Sequence, residues 1–245
     1  MLQKKIIIVT GGNGLIGRAI VNDLSNRGAT VINAEIGVTD DIENGILFCD
    51  ITNNKSIKEL LQKVLDRYNR IDGFVNNAYP RTTDWGNIFE EITFDSWKAN
   101  VDMQLNSCFF ICQQVLAIMK KQKEGAVVNI ASIYGVVGND FTVYDNTDGM
   151  TSPAAYAAIK AAVINFTRYL ASYYGSDGLR VNCVSPGGVF NHQHPQFVAQ
   201  FEQKVPLKRM ARAEEIAPAV AFLLSSESSY ITGHNLMVDG GWTAI

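Results

Sequence analysis

Short runs of aliphatic and β-branched residues recur along this chain, and longer stretches with helical spacing lie between most of them. "KIIIVT" (5–10) opens the pattern. "TVINAE" (30–35), "GILFCD" (45–50), "DGFVNNA" (72–78), "GAVVNIAS" (125–132), "LRVNCVSP" (179–186) and "HNLMVDGG" (234–241) continue it. The stretches at 15–27, 56–68, 94–121 and 154–174 read as helices. Strands apolar on both faces belong inside a parallel sheet covered by helices on either side. Strand–helix–strand crossovers are right-handed, so the expected class is α/β: a Rossmann-like, doubly wound parallel sheet of about seven strands. No repeat or shift in composition divides the chain, and residues 1–245 are expected to form one domain. Two connections, 79–93 and 133–153, exceed the length of about 12–15 residues at which structureless loops become uncommon and usually functional.

Composition excludes several roles. Hydrophobic residues make up 47% and charged residues 18%, with a net charge of −3 and no dense run of Lys or Arg. Nucleic acid and anionic membrane are therefore not expected partners. The apolar part of "MLQKKIIIVTGG" spans only Ile6 to Val9, too short for a secretory signal, and no segment is long enough for a bilayer span. Cys49, Cys108, Cys112 and Cys183 are scattered without a paired framework, which points to reduced thiols and a cytoplasmic location. His192 and His194 lack a third ligand, so no metal is expected; they read as loop residues that touch substrate or solvent.

"TGGNGLIG" (10–17) stands between the first strand and the first helix. Gly11 turns where a Cβ would clash, Gly14 lets backbone approach a ligand, and Gly17 lets the helix pack closely on the strand. Free N–H groups at the helix start favour a pyrophosphate, so the turn, including Asn13, Leu15 and Ile16, is a candidate dinucleotide site. Its plain alternative is a tight strand-to-helix turn. Glu35, at the end of the second strand, suits the adenosine ribose hydroxyls and would repel a 2′-phosphate. NAD is favoured and NADP stays open.

Tyr156 and Lys160 in "SPAAYAAIK" lie one helical turn apart on one face. A free phenol titrates near 10, and a neighbouring ammonium would lower that value toward use as an acid/base. The plain alternative is a solvated helix face.

Taken in order, "TGGNGLIG", "CDIT", "NNA", "NIAS", "YAAIK" and "SPGG" make the chain resemble the short-chain dehydrogenase/reductase family, as does "PLKRMARAEEIAPAVAFLLSSESSYITG" at 206–233. The resemblance covers nearly the whole length. It implies a single NAD(P)-binding catalytic domain and a secondary-alcohol/ketone oxidoreductase. In it, Tyr156 moves the proton, Ser132 holds the substrate oxygen and Lys160 also bonds the nicotinamide ribose. Asp50 and Ile51 would meet the adenine, Asn77 and Ala78 would line the cofactor, and Pro186, Gly187 and Val189 would lie near the nicotinamide amide. Residues 189–206 would form a mobile lid.

Three positions depart from the family's compact pattern. Gly14 has the spacing of the extended, sugar-nucleotide epimerase/dehydratase branch, though the chain is short for that branch. Gln104 takes the place of an Asn that anchors a proton-relay water, and Tyr79 replaces a small residue. That phenol shapes the pocket or covers the loop. The polar residues of 133–153 (Asp140, Tyr144, Asp145, Asn146, Thr147, Asp148) are expected to border the active site and to suit a polar, sugar-like small molecule. That insertion resembles members from surface-sugar and flagellin-glycan pathways. A 3-oxoacyl-type reductase, an extended-type sugar-nucleotide epimerase/dehydratase and a non-catalytic dinucleotide-binding sensor are the alternatives. Apolar excess on helices 94–121 and 154–174, which the family pairs between subunits, implies a homodimer or homotetramer.

Overall fold

The structure is a computed structural model and describes residues 2–245. Its centre is a seven-stranded sheet in the order β3-β2-β1-β4-β5-β6-β7. The strands are β1 (Ile6–Thr10), β2 (Thr30–Glu35), β3 (Ile46–Phe48), β4 (Gly73–Asn76), β5 (Gly125–Ile130), β6 (Leu179–Pro186) and β7 (Asn235–Val238). Every adjacent pair runs parallel, as the doubly wound reading requires.

The continuous apolar strands serve two cores. In β1, Ile6 and Ile8 face α2 (Asn54–Tyr68), α4 (Ser107–Gln122) and α5 (Ala154–Tyr174), where Leu60, Cys112 and Val163 meet them. Ile7 and Val9 face α1 (Leu15–Asn26) and α7 (Ala217–Leu224), with Ile20, Leu24 and Val220. Alternate residues of a strand point to opposite faces, so each face needs its own helix layer. A third cluster, around Phe197 and Phe201, lies beyond the strand ends.

The stretch 94–121 is helical throughout, as expected, but not α throughout: a widened π turn over Asp102–Asn106 joins α3 (Phe94–Val101) to α4. The Ser107 hydroxyl donates to Met103 O at 2.5 Å and Gln104 O at 3.3 Å, satisfying carbonyls that the wider turn releases. One added residue barely disturbs a 3.6-residue rhythm, so the apolar pattern concealed it. Two helices had not been assigned from the sequence: α7, and α6 (Pro195–Lys204) inside the 189–206 segment. Pro195 at the first position and His194 Nδ1, which accepts the Gln196 N–H at 3.2 Å, start α6. Among the described residues, no helix is long and apolar enough to cross a membrane.

Strand order reverses between β1 and β4, and Thr10 ties the two together there. Its hydroxyl oxygen accepts the Asn77 N–H at 3.0 Å and the Ala78 N–H at 3.1 Å, and donates to Val75 O at 3.3 Å. Open α/β sheets bind ligands outside the carboxyl ends of their strands at such a reversal.

Candidate active site

A cleft of about 760 Å³ opens at that point. The glycine turn forms one wall. Gly11 has φ +67°, and a Cβ on it would come within 2.8 Å of Ala78 Cα. A Cβ on Gly17 would meet Asn77 Nδ2 at 2.7 Å, the same amide that donates to Thr10 O and Gly11 O at 3.0 Å each. Gly14 lines the cleft as bare backbone and precedes α1, whose first turn has neither a side-chain cap nor an acidic residue. Those N–H groups are free to meet an anion. The cradle fits the pyrophosphate of a dinucleotide.

Leu15, Ile16, Glu35, Asp50, Ile51, Asn77, Ala78, Pro186, Gly187 and Val189 all line this cleft with the glycines, Tyr156 and Lys160. Asn13 is not on the lining. It is exposed and braces the turn: its N–H donates to Glu35 Oε2 at 3.0 Å, and its side chain accepts from Asn33 Nδ2 at 2.9 Å. Glu35 Oε1 accepts the Ile36 N–H at 2.9 Å, so both carboxylate oxygens hold backbone. Asp50 accepts the Thr52 N–H at 2.9 Å and the Thr52 hydroxyl at 2.7 Å. Gly187 presses against the end of β7, where a Cβ would lie 2.8 Å from Asp239 Cα.

Ser132 follows β5, is 4% exposed, and caps a single helical turn by accepting the Tyr134 N–H at 3.2 Å. That turn packs onto α5 through Gly135, whose Cβ would stand 2.7 Å from the Lys160 carbonyl carbon and 2.8 Å from Ala161 N. The absent side chain thus brings Ser132 close to the Tyr156 helix. Gly135 was missed from the sequence, where the only signal was a glycine three residues past the serine.

Lys160 Nζ donates to Ile130 O at 2.8 Å and lies 5.6 Å from the ring centres of Tyr156 and Tyr79. Burial pulls its ammonium down to about 8. The Tyr156 phenol is pushed up, first by burial, with the Ser132 hydroxyl acting in the opposite sense. The phenol thus shifts upward, opposite to the lowering expected from Lys160, whose ammonium donates to the Ile130 carbonyl. Tyr79 meets the Tyr156 ring edge-on at 5.6 Å, and Trp85 meets the two rings at 5.7 and 6.3 Å. The Tyr79 phenol therefore belongs to the pocket, and the 79–93 segment forms an aromatic wall beside Tyr156.

Gln104 sits in the π turn, 8% exposed and off the cleft lining. Neither its Oε1 nor its Nε2 has a hydrogen-bond partner among the described residues.

The 133–153 arm meets expectation only in part. Tyr144 stands near enough to Tyr156 to help raise its phenol, whereas Asp140, Asp145 and Asp148 contact the α6 segment and are not on the cleft lining. Lys204 pairs with Asp140 and Thr142, Gln200 Nε2 donates to Asp145 O at 2.8 Å, and His194 Nε2 lies 3.3 Å from Asp148 Oδ2. Tyr144 packs on Phe197 at 5.2 Å, and Phe201 stacks on Trp242 at 4.4 Å. The arm and α6 form one packed body.

Residues 13–243 match a family model described as enoyl-(acyl carrier protein) reductase. The chain is similar to post-translational flagellin modification protein A of Campylobacter coli, with 33% identity over 256 positions and 99% of each chain covered. It is similar to the 3-oxoacyl-(acyl-carrier-protein) reductase FabG of Escherichia coli, with 35% identity over 255 positions, 98% of this chain and 97% of that one. Among solved structures it is similar to a short chain dehydrogenase from Leptospira borgpetersenii with bound NAD+. There the TM-score is 0.88 and the identity 36%, covering 99% of this chain and 94% of that one. Likeness of this extent, on a sheet whose reversal point carries a glycine cradle and a Tyr–Lys pair, makes the chain a member of the short-chain dehydrogenase/reductase family, an oxidoreductase that acts on CH–OH with a nicotinamide dinucleotide.

Proposed function

We propose that the protein interconverts a secondary alcohol and a ketone on a polar, sugar-like small molecule, with NAD favoured over NADP. A bound nicotinamide dinucleotide supplies or accepts the hydride. Tyr156 Oη gives the proton to the substrate oxygen in reduction and takes it back in oxidation. Burial keeps this phenol protonated, the form suited to donation. The Ser132 hydroxyl steadies the substrate oxygen beside it, and Lys160 holds the ribose end. Gln104 would support a proton relay, for its buried amide carries an unspent donor and acceptor. The observation that carries this reading is the packing of the Ser132 turn onto α5 through Gly135, beside a cleft that Tyr156, Lys160 and the glycine cradle line together.

Glu35 supports NAD, since a carboxylate at the end of β2 meets ribose hydroxyls well and repels a 2′-phosphate. The solved relative with bound NAD+ points the same way. The aromatic wall of Tyr79 and Trp85 suits the apolar face of a hydroxylated ring, and the flagellin-modification relative supports a glycan-linked substrate. A 3-oxoacyl substrate is the second reading, favoured by the reductases among the relatives.

We also propose that residues 189–206 act as the lid and that the chain forms a homodimer or homotetramer. Phe109, Tyr169 and Tyr173 are at least half exposed on α4 and α5, in a run of contacting rings that includes Phe166. The four cysteines are free and buried, which supports a reducing compartment.

The test follows absorbance of the reduced nicotinamide over a panel of hydroxylated ketones and 3-oxoacyl thioesters. Tyr156→Phe is expected to lose about 10²–10⁴-fold in turnover while still binding the dinucleotide. Turnover surviving in that variant refutes the proton role.

A further inference from the structure

We propose that Arg81 is a substrate-selecting residue that binds an anionic group, a carboxylate or phosphate, carried by the substrate. The inference rests on the alcohol/ketone reading of the cleft and deepens it.

Arg81 is exposed and lines the same cleft as Tyr156 and Lys160. Its guanidinium carbon lies 5.7 Å from the Tyr79 ring centre, and Tyr79 in turn meets the Tyr156 ring at 5.6 Å. The cation is thus one ring removed from the phenol that moves the proton. Among the described residues Arg81 pairs with no carboxylate; Arg18, Arg168 and Arg180 pair with none either, but of these four only Arg81 lines the cleft. The guanidinium also touches the Tyr79 hydroxyl, but its five N–H donors leave enough of the fork to bind an oxyanion.

The neighbouring backbone is anchored. Thr82 N–H donates to Asn100 Oδ1 at 3.2 Å, Asn100 Nδ2 donates to Thr82 Oγ1 at 2.8 Å, and the Ser96 hydroxyl donates to Asp84 Oδ1 at 2.8 Å. Asn100 is 2% exposed, so this knot joins the segment to α3 from inside. Arg81 therefore projects from a fixed base.

Charge in the cleft is divided. Glu35 and Asp50 occupy the end assigned to adenosine, while Lys160 is bonded to Ile130 O. Arg81 remains as the cation open to an incoming anion. Two anions could reach it, the substrate's own group and a dinucleotide phosphate. The free N–H groups at the start of α1 already suit the phosphates, so we assign Arg81 to the substrate.

The test measures binding by calorimetry to the NAD+-saturated protein, with glycerol 3-phosphate and glycerol as a charged and an uncharged secondary alcohol. Glycerol 3-phosphate is expected to bind at least about tenfold more tightly than glycerol. Arg81→Ala is expected to remove that difference, and Arg81→Lys to restore it in part, since a point charge lacks the fork. Equal binding of the two probes, no binding of glycerol 3-phosphate to the wild type, or an advantage that persists in Arg81→Ala overturns the proposal. NAD+ affinity, measured separately, is expected to stay within about twofold in Arg81→Ala; a loss of about tenfold assigns the arginine to a dinucleotide phosphate and also overturns it. Binding is read without turnover, so its failure is distinct from the failure of the redox reading, which Tyr156→Phe reports.

Discussion

The two ends of the cleft are built by different means. At the dinucleotide end, backbone does the work: Gly11, Gly14 and Gly17 bring β1, α1 and the end of β4 together, and the Thr10 hydroxyl and Asn77 amide tie the turn by hydrogen bonds to its main chain. At the substrate end, side chains do it. Tyr79, Trp85 and Tyr156 pack as rings, and the 133–153 arm joins α6 through Tyr144, Phe197 and Lys204. A backbone cradle tolerates little variation because a single Cβ collides with main chain. A side-chain wall can be rebuilt residue by residue, so selectivity can change there while the cradle stays intact.

The sharpest way to break this contrast lies at Gly135, a backbone contact at the substrate end. Gly135→Ala is expected to push the Ser132 turn off α5 and lower turnover by up to about 10²-fold, the cost of roughly 1 Å of misplacement. Dinucleotide affinity, measured by fluorescence titration, should hold. Unchanged turnover would mean that Ser132 is not positioned through this contact.

Glu35→Ala tests the other end. NAD+ affinity is expected to fall about tenfold and the preference over NADP+ to narrow, as paired titrations would show. A preference that survives would place cofactor choice elsewhere.

Lys160 sharpens the contrast through pH. Its value in the folded protein, about 8, lies below the ordinary lysine value of 10.5, with burial as the first cause. Between those values the unfolded chain binds more protons than the folded one, so this group makes stability rise with pH across the window, while below it the penalty of the buried charge is constant. Denaturation of wild type and Lys160→Met from pH 7 to 10 should show the difference between them shifting toward the wild type above about pH 8. A flat difference would mean the ammonium is not desolvated.

The smallest effect is expected at the arm. Lys204→Ala should cost under about 1 kcal/mol in urea denaturation, because the Asp140 pair is partly exposed. A several-fold rise in KM with kcat retained would identify arm and lid as a specificity unit; a much larger stability loss would make the pair structural instead.

The same division explains what could be read in advance. The sheet was legible because strands buried on both faces have no polar alternation to blur them, as "KIIIVT" shows. The dinucleotide wall was legible because glycine has few other reasons to recur at that spacing. The π turn at Gln104 was concealed, since the helical rhythm survives one inserted residue. The arm was misjudged in direction: Asp140 and Asp145 looked like pocket groups, but contact with Lys204 and Gln200 depends on how a distant helix docks. Residue types alone carry no record of that docking.

The grip of Glu35 on its own main chain has a kinetic corollary. Its two oxygens already hold the amides of Asn13 and Ile36, so arriving ribose hydroxyls must share or displace an internal partner. If Glu35 holds the ribose as proposed, that end of the cleft would be preorganised but modest in net affinity, an arrangement suited to brisk exchange of spent for fresh coenzyme.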